Sequence, residues 1–442
     1  MRKNELNSHL REYSKSSLSP NQSEQKLVSD LYLAFKNALG QKTLMIGSYA
    51  RYTAIRPLHD LDILFIAGKY DPTHLDPKLI MDDVHKLIDK HFINPTQYPT
   101  KISQQTHSIT VKFFEGEKEI FSVDVVPAFT STEKNNYGEE IYFVPEILRY
   151  GPNKRIDAYE TLSKSIKAEK EWWILTDPRG YITAATELNN KNSDFRKAAK
   201  IVKRWKHNCK KNLANFKLKS FHIEQCLYEI FSDHPMIEVA DAIFELFYSL
   251  PKIITKPQIK DRADSSKFID EYIGSLTDAE KAVIIQARDG FLIKLENIAS
   301  KSDINDLFTA SIRLRKSDSE TYLFDKHIPT YTDSDLSFKI IGKVLANQGK
   351  FTESYLDDVG RIAVSKHIKF DISIDNTSAE DYKWKVKNDD NSPQPRGEIT
   401  DNKTANDPEF TSYEGRHYVE CYAIKNGVCI AKSRQNVVLD KI

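Results

Sequence analysis

The sequence predicts an α+β protein: a mixed core, a helical subdomain beside it, and a small all-β sandwich-like unit at the C-terminal end. Three observations carry this. An apolar run bearing two aspartates follows a Gly-Ser turn near residue 50. From about Ile156 the apolar positions take helical spacing, and from about Ile362 they alternate, with Gly, Asn, Asp and Pro-rich stretches between short runs. The implied division is 1–155, 156–335 and 336–442.

The chain has 442 residues, enough for two or three domains, and a net charge of +1 that gives no global field toward nucleic acid or membrane. Its four cysteines form no CxxC pair or zinc pattern, so the reading is buried thiols in a reducing cytoplasm. The polar, helical N-terminus does not read as a signal peptide, and no stretch approaches the roughly 20 apolar residues of a membrane span. No direct membrane insertion is expected.

In order, Ser19 with Pro20 predicts a helix start, and Val28, Leu31 and Phe35 continue it to Gly40. Strands follow around Gly47 and Asp62. Pro77 to Phe92 reads as a helix, and His107–Phe114 with Ile120–Val126 as a strand pair that Pro127 ends. Trp172-Trp173 opens an aromatic run closed by a turn at Asp177-Pro178. Ser193 or Asp194 caps the next helix. From Arg196 to Lys219 stand ten lysines and arginines and no acid. Further helices are expected at Pro235–Leu250, Asp264–Leu276, Asp278–Ala299 and Ile304–Leu314. Ser317–Asp335 reads as a linker, and Leu336–Gln348 as a short helix. Four strands complete the chain: Ile368–Ile374, Trp384–Asn388, Arg416–Ile424 and Val428–Val438. Asn426-Gly427 is a hairpin signal, and Trp384 and Tyr422 are expected core.

The chemistry concentrates in Gly47-Ser48-Tyr49-Ala50-Arg51, Thr53 and Asp60-Leu61-Asp62. Side chains alternate along a strand, so Asp60 and Asp62 share a face. Two adjacent carboxylates repel unless a cation lies between them, and Mg2+ is a hard ion that takes such ligands together with substrate phosphates. Gly47 and Ser48 offer backbone N–H groups and a hydroxyl to those phosphates. Asp124 stands on the polar face of a later strand among valines.

This pattern resembles the DNA polymerase β-like nucleotidyltransferases, and its longer form the bacterial relatives of cyclic GMP–AMP synthase and oligoadenylate synthase. The resemblance implies a polymerase β-like core whose cleft the helical subdomain completes. Asp60, Asp62 and Asp124 would then hold two Mg2+ ions, with Mn2+ as a substitute. Gly47 and Ser48 would orient phosphates. Lys203-Arg204-Trp205 and Lys219-Ser220-Phe221 look like the family's phosphate contacts, with Lys203 and Ser220 on the triphosphate; Ser220 is also placed to N-cap a helix. The segment from Trp384 to Tyr422 resembles a presumed sensor domain often fused to such enzymes, which implies a ligand or partner of its own. The implied activity is template-independent joining of nucleoside triphosphates into a short cyclic or linear signal, read by a downstream effector in anti-phage defence. The rivals are RNA tailing, modification of a small molecule such as an antibiotic, and a catalytically silent nucleotide sensor.

Overall fold

The computed structural model describes residues 1–40, 42–147, 173–346 and 353–440. Trp172 and the 155/156 boundary lie outside them. The architecture is α+β, as expected.

Order begins earlier than the Ser19-Pro20 signal. Helix α1 (Lys3–Tyr13) packs in the helical body, where Leu6 and Leu10 join Phe195 and Trp205. Helix α2 (Gln22–Leu39) is capped by Asn21 and not by Ser19. The Asn21 side chain accepts from the Glu24 N–H at 2.8 Å, and the Glu24 carboxylate accepts from the Asn21 N–H at 2.9 Å. This reciprocal box satisfies two of the helix's orphan donors, whereas the Ser19 hydroxyl donates back to the Ser14 carbonyl.

The N-terminal sheet places the site. Strand β1 (Thr43–Ile46) runs antiparallel to β2 (Asp60–Lys69), opposing Ile46 to Asp62. Helix α3 (Pro77–His91), strand β3 (Thr100–Gln104) and strand β4 (Ile109–Glu115) follow. Strand β5 (Lys118–Lys134) then lies between β2 and β4 in the order β1-β2-β5-β4-β3. Strands β2 and β5 are parallel, so Asp60 stands beside Ser122 and Asp62 beside Asp124. Leu61, Ile63, Val123 and Val125 point to the opposite face and bury against Phe35, Val84 and Ile88 of α2 and α3. That apolar face leaves the aspartates on the other. Strand β5 does not end at Pro127. Pairing with β4 stops at Val125 and pairing with β6 (Glu140–Pro145) starts at Phe129, so the proline's missing N–H falls in the gap between partners. Strand β7 (Trp173–Thr176) extends this edge.

Asp177-Pro178 opens helix α4 (Pro178–Lys191) instead of closing a turn: the Asp177 carboxylate accepts from the Gly180 N–H at 2.7 Å. Helix α5 (Asp194–Asn212) has no side-chain cap; Asp194 instead binds Arg11 of α1. Helices α6 (Ser220–Asp233), α7 (Val239–Ile253) and α8 (Asp278–Glu296) complete the body. The expected helix at Asp264–Leu276 is absent except for a 3-10 turn, Glu271–Ser275. The Asp261 and Asp264 carboxylates accept from the N–H groups of Ala263 and Ser266, a local alternative to helical bonds. Helix Ile304–Leu314 shortens to Asp303–Leu307.

Ser317–Asp335 is packed and is not a free linker. Phe324 and Tyr331 join the helical core, Leu323 joins Tyr422 and Cys429, and the Tyr331 N–H donates to the Cys429 carbonyl at 2.9 Å. The expected helix at Leu336–Gln348 is strand β8 (Phe338–Val344). It pairs with β9 (His367–Asp375) in a four-stranded sheet. Strands β10 (Asp381–Lys387), β11 (Gly415–Lys425) and β12 (Val428–Asp440) form most of a five-stranded sheet. Asn426 and Gly427 both take positive φ in the β11–β12 hairpin, as their pairing predicts. Trp384 and Tyr422 are buried, as are all four free cysteines.

Candidate active site

Gly47 takes φ +71°, a conformation that costs glycine nothing, and turns the chain from β1 into a single helical turn, Gly47–Ala50. A Cβ at this position would lie 1.8 Å from Asp62 Oδ2. Only glycine therefore lets the turn lie directly against the carboxylate. The loop folds back as the Thr53 and Ala54 N–H groups donate to the Ser48 carbonyl at 2.9 and 3.1 Å.

A cavity of about 580 Å³ opens between this turn and α5 and α6. Gly47, Ser48, Asp60, Asp62, Lys203 and Ser220 all line it. Six of the seven residues singled out from sequence thus meet in one space, although they are spread over more than 170 residues. Asp124 does not line that cavity; it stands one strand away, in register with Asp62. Its carboxylate accepts from the Thr110 hydroxyl and, at 3.4 Å, from Ser108. Lys206, Lys210 and Lys211 of α5 close the opposite side, and burial with neighbouring lysines lowers Lys206 to about 8. His59 and His207 stack at 4.7 Å where the two walls meet.

The electrostatics are those of crowded acids. Burial, then the charges of Asp60 and Asp124, pushes the Asp62 carboxyl up to about 7, although Arg51 and Lys203 pull it down. Asp124 is raised by burial and by Asp60, against the hydroxyl bonds that favour its charge. Among the described residues, no three His, Cys, Asp or Glu side chains are already drawn together as a metal cage. The donor chemistry nevertheless suits a hard divalent ion: oxygen ligands on neighbouring strands roughly 4.8 Å apart, in mutual repulsion that a cation relieves.

Lys203 is almost fully buried, and sequence reasoning missed its partners. Its ammonium donates to Glu224 of α6 and, at 2.7 Å, to the Thr53 hydroxyl. The Arg51 guanidinium donates to the other Glu224 oxygen at 2.5 Å, and the Thr53 hydroxyl donates to Glu224 at 2.8 Å. Two cations share one carboxylate. Glu224 is accordingly held down at about 2 despite burial, while burial and Arg51 lower Lys203. The cluster keeps a net positive charge at the cavity floor. The available signal was spacing: Glu224 stands four residues after Ser220, on the same helix face. Ser220 does not act as the cap, since it is the first helical residue and Lys219 holds the N-cap position.

A second cavity of about 600 Å³ lies on the helical body, but Asp233, Asp241 and Glu245 line it and would repel phosphates.

Residues 5–141 match the family model described as the Second Messenger Oligonucleotide or Dinucleotide Synthetase domain. Residues 317–440 match the Adenylyl/Guanylyl and SMODS C-terminal sensor domain. A protein from Bacillus cereus (strain VD146) named as a probable cyclic nucleotide synthase is 22% identical over 210 residues, 42% of this chain. The match spans 56% of that curated relative. Solved structures include the Escherichia coli MS115-1 CdnC with ATP, with TM-score 0.49 and 15% identity over 70% of this chain and 99% of that one. The Bradyrhizobium diazoefficiens CdnG with GTP gives TM-score 0.41 and 14% identity over 68% of this chain and 97% of that one.

Proposed function

We propose that this chain, which carries a second-messenger synthetase domain ahead of the sensor domain that accompanies such enzymes, joins nucleoside triphosphates into a short signalling oligonucleotide. The observation that carries the reading is the single cavity in which Asp60 and Asp62, with Asp124 behind them, face a wall of lysines across the Gly47-Ser48 turn. Carboxylates opposite cations suit a metal-bound triphosphate.

The Gly47 N–H and the Ser48 hydroxyl hold the phosphates close to Asp62. Lys203 and Arg51, held in place by Glu224, set positive charge under the β- and γ-phosphates, and Ser220 adds a hydroxyl at the start of α6. Asp60, Asp62 and Asp124 would hold two Mg2+ ions, with Mn2+ as a substitute. When bound, such ions lower the pKa of an attacking hydroxyl and stabilise the leaving oxygen. Asp124, the ligand on the side of the acceptor, would also take the proton of the acceptor's 3′-hydroxyl. The 3′-oxygen bonds to the α-phosphorus, the bond to the β-phosphate oxygen breaks, and pyrophosphate leaves.

In the cell the product would be a diffusible signal, cyclic or linear, read by a separate effector in anti-phage defence, with synthesis in the cytoplasm. Among the described residues no helix is long and apolar enough to cross a membrane. The test is pyrophosphate release from each nucleoside triphosphate, singly and in mixtures with Mg2+, and chromatography of the products. Transfer to RNA or to an aminoglycoside, with no product from nucleotides alone, would replace this reading with one of its rivals.

A further inference from the structure

We propose that the C-terminal β unit binds an uncharged planar heterocycle, of the nucleobase or nucleoside class, between its two sheets. The proposal does not depend on the reaction described above.

A two-sheet unit ordinarily fills the space between its sheets with side chains. Here one end stays open as a cavity of about 400 Å³, within the roughly 300–1,000 Å³ of small-molecule sites. Phe370 of β9 lines it from one sheet, and Val419 of β11 and Val437 of β12 from the other. These walls are buried and apolar.

The mouth is polar, and its charges cancel within the protein. Arg396 and Glu409 are the formally charged side chains among the lining residues, and they pair at 2.9 Å. Glu398, just outside, takes a second Arg396 bond at 2.8 Å. One cation is therefore shared between two anions, which leaves no spare positive charge for a phosphate and a net negative charge to repel it. His417, also in the lining, is fixed in its neutral form: Nδ1 accepts from the Asp389 N–H at 3.2 Å and Nε2 donates to the Tyr413 carbonyl at 3.0 Å.

What remains for a ligand is amide, hydroxyl and aromatic chemistry. Asn388 and Gln394 stand at the mouth, and the Asn388 amide donates to the Gln394 carbonyl at 2.8 Å, which orders the loop between them. A side-chain amide presents a donor and an acceptor side by side, the pattern that complements a base edge. Phe410, half exposed on the edge strand, offers a face for stacking. An apolar slot with an amide rim, an exposed ring and no spare positive charge fits a base or nucleoside better than a nucleotide.

The experiment is calorimetric titration of the full chain with adenosine, guanosine, cytidine and uridine. A saturating non-hydrolysable triphosphate occupies the catalytic cleft throughout. At least one nucleoside should bind with one-to-one stoichiometry, and its 5′-monophosphate at least tenfold more weakly. Val437→Phe, which fills the slot, should abolish binding. Gln394→Ala, an exposed change that does not challenge folding, should weaken it at least fivefold. Neither change should alter triphosphate affinity. The proposal is overturned if no nucleoside binds, if the monophosphate binds as tightly, or if binding survives both substitutions unchanged.

Discussion

Replacing Glu224 with Gln tests whether the buried cluster under the cavity is held by charge. Glu224 is fully buried and takes bonds from Arg51, Thr53 and Lys203. Its carboxyl lies at about 2, against an ordinary 4.5. At about 1.4 kcal/mol per unit, the ionised carboxylate contributes roughly 3 kcal/mol, comparable to the 3–5 kcal/mol typical of breaking a buried pair. Because the folded pKa is depressed, that stability is fully present above about pH 4.5 and is lost as pH falls toward 2. Near neutral pH, Glu224→Gln should therefore cost roughly 3 kcal/mol, a fall in Tm of about 3 °C for a chain of 442 residues that unfolds as a unit. Gln keeps the shape but leaves Arg51 and Lys203 facing each other without an anion. A bound triphosphate supplies one. Thermal melts with and without a non-hydrolysable triphosphate should show a larger ligand-induced rise in the variant than in the wild type, with turnover reduced because the two cations are no longer oriented. A variant with wild-type Tm and the same ligand response would refute the charge-cluster reasoning.

Gly47→Ala should lower turnover by about a hundredfold, since a Cβ 1.8 Å from Asp62 must displace the carboxylate and the φ of +71° adds strain; initial rates check this, and an unimpaired variant would remove the close approach from the account. Asp62→Asn in chelated, metal-free protein should stabilise the fold by up to about 4 kcal/mol at pH 8 and by only about 0.5 kcal/mol near pH 4. The sign follows from a folded pKa near 7, which makes the cost of the charge grow as pH rises from about 4 to 7; urea midpoints at both pH values measure it, and equal shifts would contradict it. Lys203→Ala should weaken triphosphate binding far more than monophosphate binding in equilibrium titrations, whereas equal losses would make the lysine a packing residue. Removing residues 317–440 should give a protein that self-associates in size-exclusion chromatography, because Phe324 and Tyr331 complete the helical core; a stable monomer would show that the segment only covers it.

The readable parts of the chain were those with uninterrupted period. Alternation around Asp62 and Asp124 put the acids on one face and Leu61, Ile63, Val123 and Val125 on the other, and the sheet is built that way. The meeting of Lys203 and Ser220 with that turn was legible only through the motif resemblance, because no local pattern encodes a contact between residues 150 or more positions apart. Glu224 was missed for the same reason: its partners Arg51 and Lys203 lie elsewhere in the chain. Ser317–Asp335 reads as a linker because it is polar and turn-rich. Two of its acids are paired with arginines just before it, Glu320 with Arg313 and Asp325 with Arg315, around buried Leu323 and Phe324. Strand β8 was read as helix because Gly342 occupies one of its inward positions, against Leu356 and Phe370, and breaks the apolar alternation.

The most direct measurement is a side-by-side reaction of wild-type protein and Asp62→Asn with all four α-labelled nucleoside triphosphates and Mg2+, resolved by chromatography and mass spectrometry. The wild type should give a nucleotide-only oligomer with stoichiometric pyrophosphate, and the folded Asp62→Asn protein should give neither. Undiminished product from Asp62→Asn would contradict the assignment of the aspartates, as would the absence of any such product from the wild type in every mixture.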